Sequence, residues 1–147
     1  MNRLIVTAGA LLSLTLATGA SAQTAGDPDA GKSVFRKCMA CHAVGEGAKN
    51  KIGPELNGII GAKPGVVEGY NYSPAFAEWS TDKAAWNAEL MTAWLTDPRA
   101  VVKGTKMVFP GIKKEKEMVD VLAYLASFDE SGATRDPAEA LAAAAAQ

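Results

Sequence analysis

The sequence predicts a small all-α domain in which helices alternate with long glycine-rich loops. Three segments with helical spacing begin with a capping residue followed by proline, and no segment alternates as a strand would. Residues 43–72, by contrast, contain seven glycines and two prolines. A loop region of this length is uncommon in a compact domain, so we expect something other than protein to support it.

Residues 1–22 are predicted to be a cleaved signal peptide. Arg3 provides a positive start, an apolar run follows, and Ala20-Ser21-Ala22 supplies the small residues of a cleavage site. The apolar run is short for a membrane span, although an uncleaved anchor is the alternative. We therefore expect an exported protein whose mature chain does not insert into the membrane.

The predicted helices begin at Asp27-Pro28, Ser73-Pro74 and Asp97-Pro98, where a capping side chain precedes proline. The first is expected to reach the cysteines that follow it. Apolar residues at helical spacing predict two more helices, within 87–96 and 113–128. The folded domain is predicted to span residues 23–128. Residues 129–147, acidic and then alanine-rich, are predicted to be a flexible tail, because an isolated helix of about ten residues is marginal in water.

The composition of the chain excludes some classes of function. The chain of 147 residues is 48% hydrophobic and carries a formal net charge of −1. These values suit one small globular domain, which we expect to be a monomer. A nucleic-acid-binding domain would normally be far more basic, so nucleic acid is not an expected partner.

The most specific motif is Cys-Met-Ala-Cys-His at residues 38–42. Two cysteines at this spacing can reach one edge of a haem, and the following imidazole then points at the iron. A redox-active cysteine pair, a zinc site and a structural disulfide are the alternatives. The first normally opens a helix in an α/β fold, the second needs four ligands, and the third would close a very short loop. We therefore expect one covalently attached haem c, with its iron, as the support for the loops.

His42 is the only histidine in the chain, so a methionine is the natural ligand for the opposite face of the iron. Met39 lies between the two cysteines, on the His42 side. Met91 and Met118 lie in helical patterns that favour core packing. Met107 lies in a loop among glycines, lysines and a proline, and we expect it to be the distal ligand; an ordinary surface methionine is the alternative.

Residues 26–128 resemble class I cytochromes c, most closely the bacterial cytochrome c2 group related to mitochondrial cytochrome c. The resemblance rests on the segments CMACH, GPELNGIIGAKPG, GYNYSPAF, LTDPRAVVKGTKMVFPGIKK and VLAYL. It implies the small cytochrome c fold, in which helices and glycine-rich loops wrap around one covalently bound haem.

The resemblance also implies roles for individual residues. Cys38 and Cys41 would form the thioethers, and His42 and Met107 would ligate the iron. Pro54 would offer its carbonyl to the second ring nitrogen of His42, which fixes the tautomer. Three side chains would hydrogen-bond the buried haem propionates: Tyr72, Trp86 and Thr105.

The family pattern further implies that Gly31 and Phe35 pack against the helix that contains Tyr124. Two departures from the pattern stand out. Ala62 replaces an arginine that many relatives place near a propionate, and Trp94 replaces a tyrosine near the methionine sulfur. Both changes are expected to leave the fold in place and to affect the redox potential.

The function that the resemblance implies is a soluble one-electron carrier of the bacterial periplasm, not an enzyme. It would carry electrons from a cytochrome bc complex to a photosynthetic reaction centre or terminal oxidase. Accepting electrons from a periplasmic dehydrogenase is an alternative. A haem peroxidase and a module that holds haem only for structure are the rivals from other classes. Transient docking would use lysines near the haem edge, drawn from Lys32, Lys37, Lys49, Lys51, Lys63, Lys103, Lys106, Lys113, Lys114 and Lys116.

Overall fold

The structure, a computed structural model, describes residues 26–147; the predicted signal peptide lies outside the described residues. Within this part of the chain, the only β-type pairing is an isolated bridge between Phe128 and Thr134. A short 3₁₀ turn, Ser80–Asp82, follows the second of six helices. The helices are α1 (Pro28–Phe35), α2 (Pro74–Trp79), α3 (Ala88–Thr96), α4 (Pro98–Val101), α5 (Glu115–Ala126) and α6 (Pro137–Ala145). The all-α prediction is confirmed.

Three helices begin where the capping code predicted. The side chains of Asp27, Ser73 and Asp97 accept hydrogen bonds from the first backbone N–H groups of α1, α2 and α4. Each cap satisfies donors that have no partner inside the helix. The first helix is shorter than expected, because α1 ends at Phe35 and turns continue the chain to Cys41.

A glycine permits α1 to cross α5 at very close range. A Cβ at position 31 would lie 2.0 Å from the Asp120 carbonyl oxygen, so the contact requires glycine. Beside this crossing, the Phe35 and Tyr124 rings lie 5.3 Å apart. The backbone N–H of Asp27 also donates to the Asp120 carboxylate at 3.0 Å. The predicted contact between these two helices is confirmed.

Six aromatic side chains form one cluster, contributed by the loop before α2, by α2 and α3, and by the segment between those two helices. Neighbouring ring centroids lie between 4.8 and 6.4 Å apart. The sequence indicates no role for Trp79, but the structure places it inside this aromatic cluster, with Lys83 Nζ 5.3 Å from its ring centroid. The members of the aromatic cluster are Tyr70, Tyr72, Phe76, Trp79, Trp86 and Trp94.

The segment after α5 differs from the predicted flexible tail. Residues 137–145 form α6, which packs against α5 and α3 and buries Ala140 and Ala144. The expectation that residues 129–147 lie outside the fold is therefore corrected. It treated the helix as isolated, whereas tertiary packing supplies most of the stability of a helix this short.

Candidate haem site

One deep cavity of about 280 Å³ lies at the centre of the fold. The α1–loop region, the glycine-rich loops, α3, the 105–109 loop and α5 all contribute to its wall. Most of the lining side chains are aliphatic or aromatic. The cavity also receives every residue that the sequence singles out for the cofactor: Cys38, Cys41, His42, Pro54, Tyr72, Trp86, Thr105 and Met107.

The cysteines and the histidine reach the cavity from a single turn that follows α1. The backbone N–H groups of Cys41 and His42 both donate to the Cys38 carbonyl, at 3.0 and 2.9 Å. Because this turn folds the five-residue motif back on itself, both sulfurs and the imidazole line the same cavity. This arrangement is what the attachment motif requires.

The loop that follows the motif holds the imidazole of His42 in place. His42 Nδ1 lies 2.7 Å from the carbonyl oxygen of Pro54, so a proton on Nδ1 makes this hydrogen bond and leaves Nε2 for a metal. A Cβ at position 53 would lie 2.4 Å from His42 Cε1, so Gly53 packs directly on the ring. The expected contact between Pro54 and His42 is present.

Burial tunes the acid–base properties of the motif. It lowers the pKa of His42, an effect that the Pro54 carbonyl partly opposes. The neutral imidazole, which is the form that binds metal, is thereby favoured. Burial also raises the pKa of the Cys38 thiol to about 11. A redox-active cysteine needs a lowered pKa, so the surroundings of Cys38 argue against that alternative.

The zinc alternative also lacks a ligand set. Across residues 26–147, no group of three or more histidine, cysteine, aspartate or glutamate side chains is placed to hold a metal ion. The donors of the cavity are instead an imidazole, two thiols and thioethers. A histidine with a methionine on the opposite face is one of the standard ligand pairs of haem iron.

Met107 is half-buried and contributes to the cavity wall from a loop after α4. Thr105 shapes this loop, because its hydroxyl accepts a hydrogen bond from the Met107 N–H at 3.2 Å. Met91, on α3, also lines the cavity and is 4% exposed, whereas Met118 packs in the core without reaching it. The structure therefore leaves two methionines within the cavity wall.

The three residues expected near the propionates all line the cavity. Trp86 is buried, and Tyr72 is half-buried with its ring stacked on Phe76 at 5.0 Å. Burial raises the pKa of the Tyr72 phenol, which keeps it protonated as a hydrogen-bond donor. These side chains can present two hydroxyls and an indole N–H to an anionic group.

The two departures from the family pattern have clear positions. Ala62 pairs with Trp86 through the backbone, since its carbonyl accepts from the Trp86 N–H at 2.8 Å. Trp94 lines the cavity and packs against Phe76, with ring centroids 5.3 Å apart. Ala62 is therefore bonded to a residue of the cavity wall, Trp86, and Trp94 is itself part of that wall and of the aromatic cluster.

The cavity opens to solvent between Ile52 and Val108, whose side chains are each 77% exposed. Lys37 and Lys106 also belong to the cavity lining. Lys106 Nζ donates to the Asn71 carbonyl at 2.7 Å, and this bond holds the lysine side chain beside the opening. The opening thus combines two bare aliphatic side chains with two cations.

Sequence reasoning missed Gly53, Ile52 and Val108. Gly53 gave a weak signal, because it directly precedes the proline that binds His42. Ile52 and Val108 gave none, since an exposed aliphatic residue in a loop is unremarkable until the fold places it at a cavity opening.

Comparison with known proteins agrees with this site. The family model described as Cytochrome c matches residues 28–129. The chain is 52% identical over 105 residues to a cytochrome c-550 of Ancylobacter novellus, covering 71% of this chain and 98% of that protein. It is 50% identical over 106 residues to a cytochrome c2 of Rhodoplanes tepidamans, covering 72% and 96%.

A solved structure gives the same result at the level of the fold. The structure of cytochrome c2 from Rhodospirillum centenum matches with a TM-score of 0.67 and 40% sequence identity. The match covers 71% of this chain and 99% of that protein. The residues of the cavity therefore fit a haem attached through two thioethers.

Proposed function

Because the chain belongs to the cytochrome c family, we propose that it carries electrons in the bacterial periplasm between membrane redox complexes. It is an electron carrier of the class I cytochrome c type, not an enzyme, and it carries covalently bound haem c with iron. The proposed donor is a cytochrome bc complex. The proposed acceptor is a photosynthetic reaction centre or a terminal oxidase.

One observation carries the proposal: a single cavity gathers Cys38, Cys41, His42 and Met107. When bound, the haem supplies a one-electron couple between ferric and ferrous iron. In the proposed site the two cysteines would anchor it, and His42 and Met107 would ligate its iron. Two protein ligands would leave no open position for a substrate, and this distinguishes a carrier from a peroxidase.

The surrounding residues favour fast electron transfer because they are held in place before it occurs. The Pro54 carbonyl fixes the His42 ring, and Thr105 fixes the backbone at Met107. In the proposed site Tyr72, Trp86 and Thr105 would hydrogen-bond the haem propionates, whose burial would otherwise be costly. The apolar cavity wall would limit the access of water to the metal and favour a high potential.

Docking is proposed to occur at the cavity opening. Ile52 and Val108 provide apolar contact there, and positive charge comes from Lys106 and from Lys37, whose charge is partly offset by its pairing with Glu117. A protein of formal net charge −1 with cations at one opening can be steered toward an acidic partner surface. None of the helices in residues 26–147 is long and apolar enough to span a membrane.

The test is a spectroelectrochemical titration of the haem-loaded protein from the periplasm, followed by mixing with candidate partners. We expect a low-spin ferric spectrum with the weak near-infrared sulfur-to-iron band at neutral pH. Rapid reduction by a cytochrome bc complex is expected next.

Three results would contradict parts of the proposal. A high-spin ferric spectrum with fast peroxide turnover would overturn the six-coordinate carrier. Slow electron self-exchange would indicate a haem with a structural role. Reduction by a periplasmic dehydrogenase, but not by a bc complex, would replace the proposed donor.

A further inference from the structure

The chain after α5 packs against the loop that contains Pro54. The matched family region ends at residue 129, and the next residues turn back through the bridge between Phe128 and Thr134. Asp129 closes this turn, since its carboxylate accepts from the Ser131 and Ala133 N–H groups at 2.8 and 3.0 Å. We call residues 129–134 the return turn.

Glycines at positions 58 and 132 permit the loop and the return turn to pack closely. A Cβ at position 58 would lie 2.8 Å from Glu130 Cγ and 3.0 Å from the Glu130 backbone nitrogen. On the side of the turn, a Cβ at Gly132 would lie 2.4 Å from the Gly45 carbonyl oxygen. Contacts this close leave no room for a side chain at either glycine, so the return turn packs directly against the loop.

Arg135 joins the loop to the end of α5. Its Nε donates to the carbonyl of Ala126 at 2.9 Å, and one terminal nitrogen donates to the carbonyl of Ile60 at 2.9 Å. Ala126 is the last residue of α5, where carbonyls lack partners within the helix and favour a cation. Ile60 is 2% exposed, so its carbonyl has little access to water. Hydrogen bonds from a charged donor are stronger than neutral ones.

α6 completes the contact. Ala144 is fully buried, and its Cβ lies 3.9 Å from the point where a Cβ on Gly61 would be, so α6 lies beside the loop at this residue. The return turn and Arg135 contact the loop at residues 45, 58 and 60, and α6 flanks it at residue 61.

These four places bracket the segment that supports His42. Asn57 links the two sides of the loop, because its side chain accepts from the Gly45 N–H at 2.8 Å and donates to the Gly45 carbonyl at 3.1 Å. Inside that link lie Gly53, packed on the imidazole, and Pro54, bonded to it. Because the loop is short and is held together by the hydrogen bonds of Asn57, a displacement of residues 57–61 would also move Pro54.

We propose that Arg135 is a positioning residue for the proximal side of the haem. With the return turn and α6 it clamps the loop that holds Pro54 against His42. The inference rests on the proposed role of His42 as an iron ligand. It assigns a function to a segment that lies beyond the matched family region.

The test compares three variants of the haem-loaded, full-length protein by hydrogen exchange and NMR. Arg135→Ala removes both hydrogen bonds, and Arg135→Lys keeps the charge but loses the forked donor geometry. Arg99→Ala is the matched control, because it removes an exposed arginine from α4. The amides followed in the loop are Gly45, Leu56 and Gly61, with Val102 as the amide outside it.

In Arg135→Ala we expect the three loop amides to exchange on the order of tenfold faster, since hydrogen bonds to charged groups contribute about 1.5–3 kcal/mol. Val102 should exchange at the wild-type rate. The His42 Nδ1 proton should also exchange faster, and the reduction potential should shift. Arg135→Lys should lie between Arg135→Ala and the wild type, and Arg99→Ala should match the wild type.

Three outcomes would overturn the proposal. Loop amides that behave as in Arg99→Ala would show that there is no clamp. Equal acceleration at Val102 would show that Arg135 affects only global stability. Faster loop amides with an unchanged His42 Nδ1 proton and potential would show that the clamp does not reach the ligand. Failure of the proposed function would be seen separately, as a wild-type spectrum without histidine and methionine ligation.

Discussion

At the level of single residues, two methionines are candidates for the second ligand of the haem iron. Met107 and Met91 both line the cavity, but they come from different surroundings. Met91 is 4% exposed on α3, where it fills space between helices. Met107 comes from a loop shaped by Thr105, and a loop can lie across a flat cofactor more easily than a packed helix can.

Replacing Met107 with alanine is therefore expected to lower the reduction potential by on the order of 0.1 V, a fraction of the roughly 0.8 V that axial ligands span. Loss of the thioether removes the group that favours ferrous iron and opens a site for carbon monoxide. Voltammetry and carbon monoxide difference spectra measure both effects. Met91→Leu is the control and should leave the potential nearly unchanged; the reverse pattern would make Met91 the ligand.

At the level of elements, the contact between α1 and α5 depends on one missing side chain. Gly31 lets the helix axes approach until a Cβ would lie 2.0 Å from backbone, which cannot move aside as a flexible side chain could. Helix propensity favours alanine over glycine by about 1 kcal/mol. Overpacking a tight contact costs about 1–3 kcal/mol, so the packing effect should exceed the gain in propensity.

Gly31→Ala is accordingly expected to lower the free energy of unfolding by up to about 2 kcal/mol, the packing cost less the gain in propensity. Denaturant unfolding of the haem-loaded protein, followed by circular dichroism, measures the change. Ser33→Ala, at an exposed position of the same helix, should stay within about 0.5 kcal/mol of the wild type. A stabilised Gly31→Ala variant would show that the helices can separate slightly at no cost.

A second element-level prediction concerns acid stability. Lys116 Nζ, at 2.8 Å, and the Asp27 N–H lower the pKa of Asp120 below its ordinary value. A lowered pKa means that the stabilising contribution is present above the ordinary aspartate pKa of about 3.9 and is lost as the pH falls below it. The unfolding temperature should therefore change less between about pH 6 and about pH 3 in Asp120→Asn than in the wild type.

The control for this experiment is Glu115→Gln, which removes an exposed carboxylate from the same helix. It should keep the pH dependence of the wild type. If both variants lose the same part of the pH dependence, the titration of the Asp120 carboxylate is not its specific cause.

Local signals account for the elements that could be predicted from the sequence. The caps at Asp27, Ser73 and Asp97 each act within a few residues, and the motif at 38–42 lies within one turn. α6 begins with the same local code, since Asp136 caps it and Pro137 is its first residue, but its packing against α5 and α3 depends on contacts distant in the sequence and could not be predicted this way. Within the cavity, Met107 followed from elimination, but the contact of Pro54 with His42 came only from family resemblance.

At the level of the whole molecule, charge is organised around the cavity opening even though the formal net charge is only −1. Lys37 and Lys106 belong to the cavity lining, whereas Lys63 and Lys83 do not. Several lysines are also paired within the chain, such as Lys37 with Glu117 and Lys116 with Asp120, which leaves Lys106 as the lining lysine without a carboxylate partner in residues 26–147. The docking surface thus depends on a few placed cations and not on overall charge.

The rate of reaction with an acidic redox partner should fall about tenfold or more from about 0.01 M to about 0.5 M salt, the lower part of the range for steered association. Stopped-flow kinetics measures this slope. Lys106→Gln should reduce it, and Lys63→Gln is the matched control, because each lysine donates to one backbone carbonyl but only Lys106 lines the cavity. A flat salt profile would remove electrostatic steering from the proposed function.

The aromatic cluster has an optical consequence. It contains all three tryptophans of the chain, with ring centroids between 5.6 and 6.0 Å apart, and two of them line the haem cavity. An excited indole in the wall of the cavity would transfer its energy to a bound haem, which absorbs in the range of tryptophan emission, before it emits. The folded protein should be almost dark in tryptophan fluorescence, and emission should appear only as the chain opens. Tryptophan fluorescence should therefore measure the unfolding of this protein without an added label.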